Sequence, residues 1–401
     1  MTREDFEYVD DQSAFDALAP IFASAPVLAV DTESDSLYRY RERVCFLQVA
    51  AGGKAYLIDT LAVRDLKPFA EACANPAQVK VLHGADYDVT CLRRDFGVAF
   101  ENLFDTMVAS QLVGREQLGL AALVREFYGV ELDKSLTTHD WGRRPLDAKY
   151  VRYLADDVVY LEDLRSKLLA ELERADAVEA ATLEFRRVAE SAASREPFDP
   201  EGFRRIKGAR DLNQAGLSVL RELCILRDAR ARAEDKPAFK VLGNQTLIDV
   251  AGSLPRDVGD LRRIQGFSDF VLRKLGADVI DAVRRGLEGA HAMSLRPPQL
   301  GKRPPEEQQA VAEALRAWRK AASERDRRTT MAILPNYLLG RVAEARPRTL
   351  DELAAVPFFG EERLRRYGPE IVALTASPPP LDEARRRRRA AGARDAKNDG
   401  D

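Results

Sequence analysis

The chain has 401 residues, 45% hydrophobic and 32% charged, which is enough for two or three domains and at least one sizeable core. No apolar run approaches the ~20 residues that span a bilayer as a helix, so a membrane partner is not expected. Net charge is -3 but uneven: residues 1–170 hold 19 Lys and Arg against 28 Asp and Glu, net -9, while the rest holds 43 against 37, net +6. An acidic front suits metal chemistry, and a basic back suits contact with a polyanion.

The acidic N-terminus lacks the apolar stretch of a signal peptide. Cys45, Cys73, Cys91 and Cys224 are scattered without C-x-x-C spacing, which argues against zinc and a disulfide framework and fits a reducing cytoplasm. Three histidines (His83, His139, His291) cannot build a His-rich metal centre.

In chain order, residues 27–30 read as a buried strand. Residues 44–51 and 55–58 read as two more, split by the turn pair Gly52-Gly53. Apolar spacing predicts a helix over 63–74. A strand over 79–82 runs into His83-Gly84-Ala85-Asp86-Tyr87-Asp88, then a helix to about Asp95 that Gly97 stops. Further helices are expected over 105–113 and 119–128, with a long helical segment from about Asp147 to Val188. Three antiparallel-type strands followed by alternating helix and strand imply an α/β domain with a mixed sheet.

Pro197 and Pro200 mark a boundary, beyond which strand signal almost vanishes. The back half contains an internal repeat with an offset of 92 residues. Arg227 falls on Arg319, Leu242 on Leu334, Leu247 on Leu339, Val250-Ala251 on Val342-Ala343, Pro255 on Pro347, Leu261 on Leu353 and Gly276 on Gly368. Two related helical units follow, over 209–290 and 306–376, joined by a Pro- and Gly-rich linker. After Pro378-Pro379-Pro380 come five arginines, 385–389, and a polar end expected to be disordered.

The acidic residues define the candidate chemistry. Residues i and i+2 of a strand point the same way, so Asp31 and Glu33 project together from the exit of the first strand. Hard oxygen ligands of this kind suit Mg2+ or Mn2+. Asp86 and Asp88 both stand at a strand-to-helix junction, the edge where α/β proteins place their sites. Tyr153 and Asp157 share a helix face at i, i+4, and Asp156 at i+3 is nearly as close. Asp105 opens a helix and is expected to cap it or lend a supporting hydrogen bond. Four carboxylates from a strand end, a junction and a later helix can converge on two divalent cations, an arrangement suited to phosphodiester cleavage. A tyrosine hydroxyl beside them would orient the attacking water.

These residues resemble the DEDD 3′-5′ exonuclease superfamily, in its tyrosine-containing subgroup, and ribonuclease D within it. The motifs are Asp31-Thr32-Glu33, then HGADYD followed by Phe104-Asp105-Thr106, then Tyr153 to Asp157 after Asp140-Trp141-Gly142-Arg143-Arg144-Pro145-Leu146. The resemblance implies metal ligands at Asp31, Glu33, Asp88 and Asp157, two divalent cations (Mg2+ or Mn2+), and Tyr153 as the water-orienting group. It selects Asp88 over Asp86 and Asp157 over Asp156. It implies a ribonuclease H-like α/β exonuclease domain over 1–195, HRDC units over 209–290 and 306–376, and a basic tail over 377–401. Two departures stand out. Ser34-Asp35-Ser36 follows the first motif where many relatives carry an aromatic residue. In the second helical unit Trp318 replaces Leu226, and Phe358-Phe359 stands where Gly266-Phe267 does.

Thr32, Gln48, His83 and Arg144 are weaker candidates for contact with substrate. In the first helical unit Arg227, Arg230, Arg232, Lys236 and Lys240, with Phe239 nearby, form a basic run suited to a phosphate backbone. The expected activity is removal of nucleotides one at a time from the 3′ end of structured, tRNA-like RNA. A DNA 3′-5′ exonuclease and a non-catalytic nucleic-acid scaffold are the alternatives.

Overall fold

The computed structural model describes residues 6–133, 136–192, 198–290 and 304–386. Packing divides them into two compact units. One comprises 6–33, 44–192 and 304–386; the other comprises 34–43 and 198–290. The second helical repeat therefore belongs with the α/β domain rather than standing apart.

The α/β domain is built on a six-stranded mixed sheet. Its strands are β1 (Phe6–Val9), β2 (Val27–Ser34), β3 (Val44–Ala51), β4 (Lys54–Asp59), β5 (Val79–Leu82) and β6 (Leu103–Asp105), in the order β1-β4-β3-β2-β5-β6. β3 and β4 form the antiparallel hairpin, while β1 runs parallel to β4, β5 to β2, and β6 to β5. The expected mixed sheet is present. β1 and β6 escaped the sequence reading because Phe6–Val9 includes an acid and is mostly half-buried, and Leu103–Asp105 is only three residues long; a neighbouring strand supplies their ladder. The long helical segment is three helices, Ala148–Asp156, Leu161–Arg174 and Val178–Ala189.

Both faces of the sheet are covered. All eight residues of β3 are buried. Leu47 and Val49 point into the main core, beside Phe22, Phe69 and Leu164. Cys45 and Phe46 point into a smaller cluster with Trp141, Leu154 and Ala155. Each fully buried apolar side chain of this kind contributes about 1.5–3 kcal/mol. The small cluster packs the helix Ala148–Asp156 over β4, and that helix carries Tyr153.

The 92-residue repeat recurs helix by helix. Helices Gln214–Ala233, Ala238–Val241 and Asn244–Ser253 reappear as Glu306–Asp326, Thr330–Ile333 and Asn336–Ala345. The Arg227 guanidinium donates to the Leu242 carbonyl, and Arg319 donates to Leu334 in the same place. The first unit closes its own core around Leu220, Leu223, Leu247 and Val279.

The second unit has its own core but also docks on the α/β domain. Ala332, 2% exposed, lies in the main α/β core, with Met331 packed against it. The Tyr337 hydroxyl donates to buried Glu184 at 2.7 Å, and the Thr329 hydroxyl donates to the Leu112 carbonyl at 3.2 Å. Glu179 accepts from the backbone N–H groups of Glu361 and Glu362 at 2.6 and 2.9 Å, capping the helix Glu361–Ala376.

At the start of the tail, residues 381–386 are helical and Ala384 is buried. Residues 387–389 of the arginine run lie outside the described residues, as do Pro197, His291 and most of the linker.

Candidate active site

β2 delivers the first two acids. Leu28, Ala29 and Val30 are buried and hold the strand in the sheet, and Asp31 and Glu33 leave it on one side. Asp157 is the C-cap of the helix Ala148–Asp156. One carboxylate oxygen each from Asp31, Glu33 and Asp157 lies within 4.8 Å of the others.

Asp88 lies in the first turn of the helix Asp86–Phe96 and is buried, whereas Asp86 is exposed and accepts from the Ser191 hydroxyl at 3.3 Å. Asp88 stands outside the tight trio. Its carboxylate accepts a hydrogen bond from the Thr32 hydroxyl, and its charge acts on Asp31, Glu33 and Asp157. The junction that presents Asp88 is organised by Asp105. That single carboxylate accepts from Gly84 and Ala85 at 3.0 and 2.8 Å, and from Met107 and Val108 at 2.8 and 3.2 Å. Gly84 has φ +71°, a conformation glycine adopts without cost, and a Cβ there would meet Met107 Cε at 3.0 Å. Asp105 thus caps and supports, as its place at a helix start suggested; its hold on the preceding junction is a long-range contact that only the fold creates.

The electrostatics are those of crowded, partly desolvated carboxylates. Burial pushes Glu33 up to about 9, with Asp157 and Asp88 adding to it. Burial, then Asp88, Asp157 and Glu33, hold Asp31 well above the usual carboxylate range. Asp157 is raised by burial, Asp156 and Asp88. Asp88 is also raised by burial, against the lowering effect of the Thr32 hydrogen bond. Like charges this close favour either shared protons or a cation. The donors are all carboxylate oxygens, the set that hard divalent cations prefer, so the residues fit such an ion. Burial and the same acids raise the Tyr153 phenol far above its ordinary value, which keeps it a hydrogen-bond donor. Its ring is held 5.6 Å from that of buried Trp141.

Each of the four weaker candidates has a defined environment. The Thr32 hydroxyl is spent on Asp88. Gln48 is fully buried in central β3, and its amide atoms make no hydrogen bond among the described residues. His83 meets the Thr106 hydroxyl at 2.9 Å and ties the exit of β5 to the helix Thr106–Leu112, with burial lowering its pKa. The Arg144 guanidinium grips buried Asp59 (2.6 Å to one oxygen), donates to the Trp141 carbonyl and stacks 4.1 Å over Phe46. It clamps the 141–146 segment to the sheet, so its charge is already neutralised by Asp59. Asp59 is the residue sequence reasoning missed: an acid at the end of an apolar strand with no local partner in sequence.

Comparison with known proteins follows this geometry. A 3′-5′ exonuclease family model matches residues 6–173, and an HRDC domain model matches twice, at 216–283 and 308–375. A ribonuclease D from Pseudomonas paraeruginosa is 32% identical over 284 residues, covering 71% of this chain and 75% of its own length. The chain belongs to the ribonuclease D family. It is a hydrolase, a 3′-5′ exoribonuclease with C-terminal HRDC domains. The crystal structure of Escherichia coli RNase D, titled an exoribonuclease involved in structured RNA processing, matches with a TM-score of 0.68 and 25% identity, covering 93% of this chain and all of that one. The Arabidopsis protein RRP6-like 2 is 30% identical over 71% of this chain, which spans only 34% of that longer protein. Among the described residues no helix is long and apolar enough to cross a membrane.

Proposed function

We propose that Asp31, Glu33, Asp88 and Asp157 hold two divalent cations, Mg2+ or Mn2+, against the last phosphodiester of an RNA 3′ end. The observation that carries this is the trio Asp31, Glu33 and Asp157, with ligating oxygens within 4.8 Å of one another, and Asp88 close enough to raise the proton affinity of all three. Bound cations lower the pKa of water and offset charge on the scissile phosphate and leaving 3′-oxygen. The protein's part is to orient. Thr32 and Asp105 fix Asp88, the Trp141 cluster fixes the Ala148–Asp156 helix, and Tyr153 donates a hydrogen bond that aligns the attacking water. Water adds to phosphorus, the bond to the 3′-oxygen breaks, and the products are a 5′-mononucleotide and an RNA one residue shorter with a free 3′-hydroxyl.

The substrate in this reading is structured RNA with a free 3′ end, such as transfer-RNA precursors. Its support is the resemblance to a relative described as acting on structured RNA, together with the basic back half of the chain. Four buried cysteines without C-x-x-C spacing support a reducing, cytoplasmic setting.

The test is shortening of a 5′-labelled RNA in Mg2+ or Mn2+, beside a DNA oligonucleotide of the same sequence. Asp31→Ala and Asp157→Asn should each abolish it. Tyr153→Phe should lower kcat about 10²–10⁴-fold, the usual weight of one proton-handling group, with Mn2+ affinity unchanged by calorimetry. Full activity in either carboxylate variant sinks the metal assignment, and preferential cleavage of the DNA sinks the RNA assignment.

A further inference from the structure

The ten residues Ser34–Arg43 follow the first motif directly, and they pack with the first helical unit. The loop is closed at its neck. Asp35 is fully buried; it accepts from the Arg43 backbone N–H at 2.7 Å and from the Arg43 guanidinium at 2.9 and 3.1 Å. Compact loops with tied ends are a common way to present side chains. This one presents Tyr38 and Tyr40. The Tyr40 hydroxyl donates to Asp228 at 2.6 Å, its backbone N–H donates to Asp235 at 3.2 Å, and Arg39 pairs with Asp235 at 3.1 Å. The Lys240 ammonium sits 3.9 Å over the Tyr38 ring, and the Arg232 guanidinium sits 5.6 Å over the Tyr40 ring.

Two features of this surface face solvent. Phe239 is 55% exposed and stands outside the core of its unit. The charges are also layered. Arg232 is 61% exposed and its partner Asp228 13%; Lys236 is 51% exposed and Lys274 36%, around a Glu234 at 21%. The acids neutralise from below and the cations face outward. Aromatic rings interleaved with outward cations suit a single nucleic-acid strand, whose bases stack and whose phosphates pair.

The repeat supplies an internal control. On the 92-residue offset Phe239 and Lys240 become Met331 and Ala332, and Arg232 becomes Glu324. In the second unit this short helix is packed into the α/β core. There the aromatic ring and the charges of Arg232 and Lys240 are gone, while Lys236 and Lys274 are kept as Arg328 and Arg366.

We infer that Tyr38, Tyr40, Arg232, Phe239 and Lys240 form a stacking platform for a single-stranded segment of the RNA substrate. This rests on the exoribonuclease reading and deepens it: the loop after the first motif replaces the missing aromatic residue with two tyrosines further on. The test uses the full chain and two arms. Binding of a 5′-fluorescein RNA of about 12 nucleotides, within the ~4–16 usual for single-strand sites, is read by anisotropy in EDTA, so the measurement does not depend on catalysis. Hydrolysis of a dinucleotide in Mn2+ reports the acid site alone. Phe239→Ala with Lys240→Ala should weaken binding about tenfold, in the range of one lost base–aromatic stack, and raise KM for the longer RNA with kcat and dinucleotide hydrolysis unchanged. Lys240→Glu alone should reduce the salt dependence of binding by about one phosphate contact. Unchanged affinity in both variants overturns the platform and leaves this face as a protein-docking surface. Loss of dinucleotide hydrolysis in the wild type would instead strike the exonuclease reading, while the binding arm still tests the platform.

Discussion

The two helical units share a 92-residue register and yet are put to different uses. Their cores and internal hydrogen bonds correspond, down to Arg227 on Leu242 and Arg319 on Leu334. The difference lies at their edges. The first unit caps the helix Asp269–Gly289 with its own Ser268, which accepts from Val271. At the corresponding place the second unit has Gly360, and the cap comes from Glu179 of the α/β domain. A Cβ on Gly360 would lie 2.5 Å from Leu183 and 2.7 Å from Glu179. Gly266 (φ +103°) becomes Phe358, held at φ +66°, with Arg186 of the α/β domain 5.2 Å over its ring. A side chain there costs about 1–2 kcal/mol of backbone strain, which the stacked guanidinium helps to offset. A repeat can keep its fold and lose its autonomy by changing a few boundary residues. Phe358, one of the departures noted in the sequence, is one of those positions.

The contrast can be broken most directly at Glu184. It is 1% exposed, accepts from Tyr337 and pairs with Arg187 at 3.1 Å. Glu184→Ala should destabilise the α/β unit by about 3 kcal/mol, in the range for breaking a buried charge pair, measured by urea denaturation. An effect below about 1 kcal/mol would mean the docking is superficial.

A cation should separate the two units next. Glu33 and its neighbours have raised folded-state pKa values, so their protonated forms stabilise the fold below about pH 4.5, and that contribution is lost as pH rises through about 9. Without divalent cation the α/β unit should therefore melt lower at pH 8.5 than at pH 5.5. Mn2+ at 100 times its Kd should restore about 2.7 kcal/mol at the higher pH, less at the lower, and nothing in Asp31→Asn. Calorimetry should find the first helical unit's transition indifferent to Mn2+; a shift there would place a cation elsewhere.

Capping gives a smaller, paired comparison. Glu179→Ala and Ser268→Ala should each cost about 1 kcal/mol, one across a domain boundary and one within a unit. Gly360→Ser, which imports the first unit's cap, should destabilise, because the Cβ has no room. A gain in melting temperature would contradict the borrowed cap. Smallest of all, Arg230→Ala removes a surface ion pair with Asp278, whose side chains are 38% and 37% exposed, and should change stability by less than about 1 kcal/mol.

The sequence by itself determined what local rules can encode. Apolar spacing and cap residues placed β3, β4 and β5, the helix that Gly97 ends at φ +69°, and the repeat, because each depends on residues within a few positions. It also carried the acids as motifs, since Asp31 and Glu33 share a side by the pleat of a strand alone. Only the tertiary structure decided the rest. Asp88 turns inward and Asp86 outward because Thr32 and Asp105, 56 and 17 residues away in the chain, hold the junction. Arg144 is tied to the sheet because it meets Asp59, 85 residues earlier. The second helical unit is docked because Glu179 and Glu184 meet it from 153 to 183 residues earlier in the chain. In each case the deciding partner is distant in sequence, where no periodicity reaches and only packing brings the groups together.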